Sequence, residues 1–549
     1  MNTFKNAAER IYKKAEEDSR LIKGRSLDEL KQIALRQEGV IQTQIGSVAA
    51  DSEPMSRSAP HTRNSVDHPF GETEDRLADD ANNILARENI ISLDTIIGDG
   101  RDGVTARFII PEAYAQLAYG LKLLFDGPDP RTVENPTYTI IYFTDDAFEL
   151  NKSKKLIDKD ILVRLEMGKR RGEQVKICRN TIYLGEGKKG IFQFEDWRVK
   201  SIDKAGIFLH AGARRDFLWV YDEKTERPEF KEIVTAVSGL TATGKTTTLC
   251  RTFARMPKER SEMIGDDGGT FSFAGSYSAF EMGGLYVKTE GLDENQPEIL
   301  RAAESKDAFL ENVSVTKYPY MPDFCDLSKT GNGRAVVSRN NIEIASGSLR
   351  ADKIQYIVIL TRNPLVNVIS RLTPEQATMQ FIYGESIESS GGNPEEAGRF
   401  KRIFFLDPFI AGDRLEHAMI FYDIIRMNRI QCYLANTGTI GPGEQKVTLR
   451  QSLATYNDLV RKQLRFSREG DYLGHNHPIK CDRANLDLMS ADQLFKDKNV
   501  IRHRVEDFFQ GRRQYLEDFE GKYGKIPENI RESLPYSFRE PTPTEIPIE

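Results

Sequence analysis

The 549-residue chain carries 77 Lys and Arg against 83 Asp and Glu, a formal net charge of -6, with 39% hydrophobic and 29% charged residues. That length exceeds what one hydrophobic core usually holds, so two or three domains are expected. The slightly acidic balance excludes bulk attraction to nucleic acid or anionic membranes, so an anionic ligand has to be met by a local cluster of cations.

Taken in chain order, residues 1–37 read as a charged amphipathic helix, a packing arm rather than a domain. Residues 50–85 are polar and read as a long loop or mobile segment. "VTARFII" (104–110) reads as a strand, and Pro111 opens a helix with Tyr114, Leu117, Leu121 and Leu124 on one face. "KRRGEQVK" (169–176) reads as a solvated turn. "TYTIIYF" (137–143), "GIFLHAG" (206–212) and "FKEIVTAVSG" (230–239) read as strands, and "IQYIVIL" (354–360) as a buried one. Thr373, Pro374 and Gln376 carry the chemistry of a helix start, and "SSGGNPEEAG" (389–398) that of a flexible closing loop. "HNH" (475–477) is read as surface histidines, because no further ligand stands nearby in sequence. A last strong helix, "NVIRHRVEDFFQGRRQYLEDFEGKY", precedes a Pro-rich tail.

The five cysteines (Cys178, Cys250, Cys325, Cys432, Cys481) show no CxxC spacing, which argues against a disulfide framework or zinc knuckle. No apolar run approaches the ~18 residues of a membrane span, and the N-terminus lacks the apolar core of a signal peptide. A cytoplasmic protein is expected.

The most informative stretch is "TAVSGLTATGKTTTLCR" (235–251), which fits G-x-x-x-x-G-K-[ST] between a β-branched strand and a candidate helix. Gly239 and Gly244 let backbone N–H groups wrap phosphate oxygens, Lys245 sets a charge on the outer phosphates, and the Thr246 hydroxyl can hold Mg²⁺, with Thr247 next to it. "MIGDDGG" follows, and after a phosphate loop the adjacent Asp266 and Asp267 point to metal binding rather than a plain turn. Upstream, "YLGEGKKGIF" (183–192) sets Lys188 beside Lys189, and "FLHAGA" (208–213) sets His210 in an apolar run. Each alone is more often structural than functional.

As an ordered set, these pieces resemble the ATP-dependent phosphoenolpyruvate carboxykinase family, which shows Y-x-G-E-M-K-K-G-I-F, a histidine segment, G-L-S-G-T-G-K-T-T and I-G-D-D in that order. The likeness runs from "ARFIIPEAYAQ" (106–116) through "GGLYVKTEGLDENQPEILRAAESKDAFLENVSV" (283–315) and "SRLTPEQ" (370–376) to "ANTGTIGPG" (435–443). It implies an α/β fold in two parts: an N-terminal substrate-side domain over 1–232 and a phosphate-loop domain over 233–549, with the active site between them. It also implies that Lys189, His210 and Asp267 bind Mn²⁺, and that Lys245 and Thr246 form the ATP–Mg²⁺ site with Thr241 at the family's loop serine. Tyr183, Lys188 and Arg334 match substrate-side positions, while Lys446 and Ser452 fall near the nucleotide. A metal-ligating lysine must be neutral, so the pKa of Lys189 would have to be depressed.

The reaction implied is conversion of oxaloacetate and ATP to phosphoenolpyruvate, ADP and CO₂; a monomer is expected, with an oligomer as the alternative, and no nucleic-acid or membrane partner. A kinase on the same scaffold, acting on another acceptor without decarboxylation, is the alternative. The chain departs from the family pattern at several points. The early arginine segment survives only as "SRSAPHTRN", with Arg57 its candidate, and the lid segment is replaced by "GESIESSGGNPEEAGRFKRIFF". Gln296 replaces a glutamate, Lys446 an arginine, and Ala242 a loop glycine; the last is expected to avoid a left-handed backbone.

Overall fold

The most apolar stretches of the sequence become the central strands of two large sheets. The computed structural model describes residues 3–53, 59–125, 133–145, 161–222, 225–240, 242–387, 398–442, 445–479 and 497–538. Arg57, Thr241, Cys481, residues 389–397 of the closing loop and the Pro-rich end from 539 lie outside them. The chain divides into two compact units: Met1–Lys204, Ala279–Ala345 and Phe409–Gly412 in the first, and Ala205–Ser278, Ser346–Pro408 and Asp413–Glu549 in the second. Among the described residues, no helix is long and apolar enough to cross a membrane.

The first unit holds a seven-stranded sheet in the order Leu21–Lys23, Ile90–Ile96, Thr105–Pro111, Tyr138–Phe143, Gln174–Arg179, Leu162–Met167, Thr62–Asn64. A five-stranded sheet accompanies it, in the order Gly284–Lys288, Arg334–Ser338, Phe309–Glu311, Val48–Ala50, Ile41–Gln42. Helix Thr3–Glu17 lays Phe4, Ala7 and Ile11 against Leu77 and Leu85 of helix Glu72–Leu85 and Ile109, Ile141 and Ile177 of the sheet. Burying each large apolar side chain stabilises by roughly 1.5–3 kcal/mol. The first amides of that helix, on Thr3 and Phe4, donate to the Glu166 carboxylate at 3.0 Å each, an anion where a helix start favours one.

Several expectations for this unit are corrected. The N-terminal 37 residues are two helices, Thr3–Glu17 and Leu27–Ala34, with strand Leu21–Lys23 between them pairing parallel to Ile90–Ser92. Residues 72–85 are helix, not loop, with Leu77, Ala78, Ala81 and Leu85 as its buried face. Helix Ala115–Phe125 is buried on every side rather than along one face. The solvated turn ends at Glu173, because Lys176 lies in strand Gln174–Arg179 fully buried against Glu186.

The second unit is built on an eight-stranded sheet in the order Arg260–Gly265, Ala211–Asp222, Arg227–Gly239, Tyr356–Thr361, Gln431–Asn436, Ile369–Leu372, Asn476–Ile479, Arg465–Gly470. Its centre is parallel: Thr235 pairs with Tyr356, and Tyr356 with Gln431. Every residue of Tyr356–Thr361 is buried, as a strand covered on both faces requires. "GIFLHAG" is two strands, Gly206–Leu209 and Ala211–Asp222, and His210 is the joint where the chain leaves one sheet for the other. A division at 232 would cut strand Arg227–Gly239, which lies wholly in this unit, as does His210. Helix Pro374–Tyr383 starts at Thr373 with a full capping box to Gln376, as its sequence predicts.

His475 is not a surface residue. It is fully buried, among the described residues neither ring nitrogen has a hydrogen-bond partner, and burial together with the nearby Arg512 charge pushes its pKa down to about 3.

Candidate functional site

In the second unit, the carboxyl end of strand Arg227–Gly239 runs into the glycine loop and then helix Lys245–Cys250, at the strand end where α/β sheets meet their ligands. Gly239 is needed for closeness: a Cβ there would come within 2.5 Å of Thr243 Oγ1 and 2.9 Å of Leu360 Cβ. Gly244 caps the helix at φ 94, a backbone region that favours glycine. Ala242 also sits left-handed, at φ 64, which overturns the expectation that it would avoid that conformation. For a residue bearing a Cβ this costs about 1–2 kcal/mol.

Asp267 gathers the charged groups. Its Oδ1 pairs with the Lys245 ammonium and lies 3.3 Å from His210 Nε2. The other ring nitrogen, Nδ1, meets the Leu406 carbonyl at 3.1 Å, and the His210 carbonyl accepts from Ser238 Oγ at 3.0 Å, so ring and backbone are both held. Asp266 is buried beside it, and its carbonyl packs on Gly212, where a Cβ would approach to 2.1 Å. Thr246 and Thr247 stand in the first turn of the helix. Lys446 is exposed on strand Gln445–Lys446, and Ser452 donates to the Thr448 carbonyl; among the described residues neither is drawn into the Asp267 group.

The first unit holds the second set. Helix Leu184–Trp197 begins at Tyr183 and carries Lys188 and Lys189. Lys188 Nζ pairs with Glu281 Oε1 at 2.7 Å and sits 5.6 Å from the Tyr286 ring centre. Lys189 Nζ pairs with Glu186 Oε1 at 3.0 Å and lies 5.1 Å from the Tyr183 ring. Arg334 faces Tyr286 at 5.8 Å, and the Tyr183 and Tyr286 rings stand 6.3 Å apart. Desolvation pulls the Lys189 ammonium down, but Glu186 and Tyr183 outweigh it and the net displacement is upward. That is opposite to the depression a metal-bound amine needs; the cation itself would have to displace the proton.

Three acidic residues here were missed in sequence. Glu186, inside the quoted "GEGKK", is fully buried and takes both Lys176, at 2.7 Å, and Lys189. Glu281 is the partner of Lys188. Glu311 accepts from Tyr286 OH and from the Leu184 amide at 2.9 Å, and burial lifts its pKa to about 7. An acid flanked by glycines and lysines looks solvated in sequence; only tertiary burial shows otherwise.

These residues fit phosphate and a divalent cation. The loop packs closely at Gly239, leaves open space beside Gly244 and ends in Lys245, while His210 and Asp267 supply nitrogen and carboxylate donors side by side. Among the described residues, no group of three or more His, Cys, Asp and Glu could hold a metal. A cation here would therefore complete its shell with hydroxyl, amine, phosphate or water.

The fold is of the α/β class, with a strand, glycine loop and helix in succession at the end of a central strand of the eight-stranded sheet. The sequence pattern of the phosphoenolpyruvate carboxykinase family matches residues 20–483, and the chain belongs to that ATP-dependent family, whose cofactors are ATP, Mg²⁺ and Mn²⁺. It is 27% identical over 482 residues to the phosphoenolpyruvate carboxykinase (ATP) of Aeropyrum pernix, covering 86% of this chain and 89% of that protein. It is 28% identical over 387 residues to the enzyme of the same name from Campylobacter jejuni, covering 69% of this chain and 67% of that protein. The similarly named Azorhizobium caulinodans protein is 27% identical over 375 residues, covering 66% of this chain and 64% of that protein.

Proposed function

We propose that the chain converts oxaloacetate and ATP to phosphoenolpyruvate, ADP and CO₂. The observation that carries this reading is Asp267, shared by Lys245 and His210 at the end of the phosphate loop. The loop amides and Lys245 bind the outer phosphates of ATP, with Gly239, Thr241, Gly244, Thr246 and Thr247 shaping the loop around them. Lys446 and Ser452 are assigned to the nucleotide's far end, and Tyr183, Lys188, Arg334 and Arg57 to the dicarboxylate.

In the reaction, the bond between C3 and the C4 carboxylate breaks, CO₂ leaves, and the electron pair remains as an enolate. The enolate oxygen then attacks the γ-phosphorus, whose bond to the β-bridging oxygen breaks, so ADP departs. Lys245 sets positive charge on the transferring phosphoryl group, and Lys188 and Arg334 offer cations to the dicarboxylate. Within the second unit, His210 and Asp267 would hold a divalent cation, with Thr246 and Asp266 toward a second, and the cation would supply Lewis-acid charge when bound.

A second reading keeps the scaffold but changes the acceptor: ATP is used without decarboxylation. The altered early arginine segment and lid favour it. Incubation with ATP, Mg²⁺, Mn²⁺ and oxaloacetate separates the two. Equal yields of phosphoenolpyruvate, ADP and CO₂, abolished by Lys245→Met, support the first; ATP turnover only with another acceptor overturns it.

A further inference from the structure

Ala242 is held left-handed by something other than its own preference. Arg362, at the end of strand Tyr356–Thr361, donates from Nη2 to the Ala242 carbonyl. Arg362 in turn has a rigid base. Its amide donates to Ser386 Oγ at 3.2 Å, and its carbonyl accepts from the Ile387 amide at 3.0 Å. Its stem lies on Gly438, where a Cβ would come within 2.9 Å of Arg362 Cβ and 3.0 Å of Cγ. The preceding Thr361 hydroxyl donates to the Glu385 carbonyl at 2.6 Å, tying the same strand end to strand Glu385–Ile387.

We propose that Arg362 is a positioning residue for the phosphate loop: it clamps the Ala242 carbonyl and so enforces the turn that a glycine would adopt unaided. A side chain fixed at its root by two backbone hydrogen bonds and a glycine-sized gap can hold a carbonyl with little entropy left to lose. A flexible arginine could not. The loop it holds is the one read above as the ATP site, so the proposal rests on that reading. It is independent of which acceptor receives the phosphoryl group.

The experiment is a double-mutant cycle on the full-length chain. Arg362→Ala, Ala242→Gly and the double variant are titrated with Mg·ATP by calorimetry. Arg362→Ala is expected to weaken binding about tenfold with alanine at 242, the order of the left-handed preference lost. In the Ala242→Gly background the same change should cost less than about twofold, because glycine needs no clamp. Equal losses in both backgrounds would mean that the guanidinium meets the nucleotide directly and would overturn the proposal, as would no loss in either.

Hydrogen exchange on the nucleotide-free protein gives a second, independent readout. Arg362→Ala should speed exchange of the amides at 242–246 about fivefold while helix Lys498–Tyr523 stays protected. If the wild type binds no Mg·ATP, the functional reading fails, and unchanged loop exchange would separately end the clamp.

Discussion

Lys188 and Glu281 meet at 2.7 Å with side chains only 5% and 2% exposed, a buried ion pair within the first unit. Such a pair adds little against a well-packed apolar one, yet stranding either charge is expensive. Glu281→Gln should therefore destabilise the protein by about 3–5 kcal/mol in urea unfolding. The double change Lys188→Met with Glu281→Leu should recover most of that stability and still abolish phosphoenolpyruvate formation. A double variant that unfolds as readily as the single one would show that the pair's charges are not what matters.

Glu311 sets an alkaline limit. Burial raises its folded pKa from 4.5 to about 7, so the folded state binds more protons than the unfolded state between those values. Stability must then fall as pH rises through that window and level off above it. From pH 5 to 7.5 the loss is about 2 kcal/mol. Urea melts of Glu311→Gln, which lacks the titrating group, should be flatter over this range than those of the wild type.

His475 acts in the opposite direction. Its folded pKa falls from 6.5 to about 3, so the unfolded chain takes up a proton that the folded chain refuses. Stability is lost as pH falls below 6.5, by about 2 kcal/mol at pH 5. His475→Gln should remove this acid limb and leave the Glu311 limb. If the variant's stability falls between pH 6.5 and 5 as steeply as the wild type's, the buried histidine is not responsible.

What could be read in the chain and what could not divide along a physical line. Strand Tyr356–Thr361 and the capping box at Thr373 are local features: one is a continuous apolar run, the other a three-residue hydrogen-bond pattern. Helix Glu72–Leu85 was hidden because Glu72, Glu74, Asp75 and two asparagines surround a face of only Leu77, Ala78, Ala81 and Leu85. The junction before Lys245 was legible as strand, turn and helix because a β-branched run, two glycines and a helix start follow one another within a dozen residues. Glu186, Glu281 and Glu311 were not, since a carboxylate declares its role only when distant elements bury it. Ala242 was misjudged for the same reason: the group that holds it, Arg362, is 120 positions away.

Glu385 is shared by two arginines. Arg512 reaches it twice, Nε to Oε1 at 3.0 Å and Nη2 to Oε2 at 2.8 Å, while Arg402 Nε meets Oε1 at 3.1 Å. The Arg512 side chain is fully buried and that of Arg402 is 16% exposed. Residue 512 lies beyond position 483, where the family match ends, on helix Lys498–Tyr523. If that helix were an appendage, losing its arginine would matter little. The forked pair predicts otherwise, because a planar guanidinium matched to both oxygens of a buried carboxylate cannot be replaced by water. Glu385→Gln, which leaves both cations without their anion, should cost most, about 3–5 kcal/mol. Arg512→Met should follow at about 3 kcal/mol, and Arg402→Met should cost about 1 kcal/mol, since solvent screens it and Arg512 still pairs the acid. Urea unfolding of the three variants measures the order directly. If Arg402→Met proved the more damaging of the two arginine changes, burial would not be what ranks these pairs.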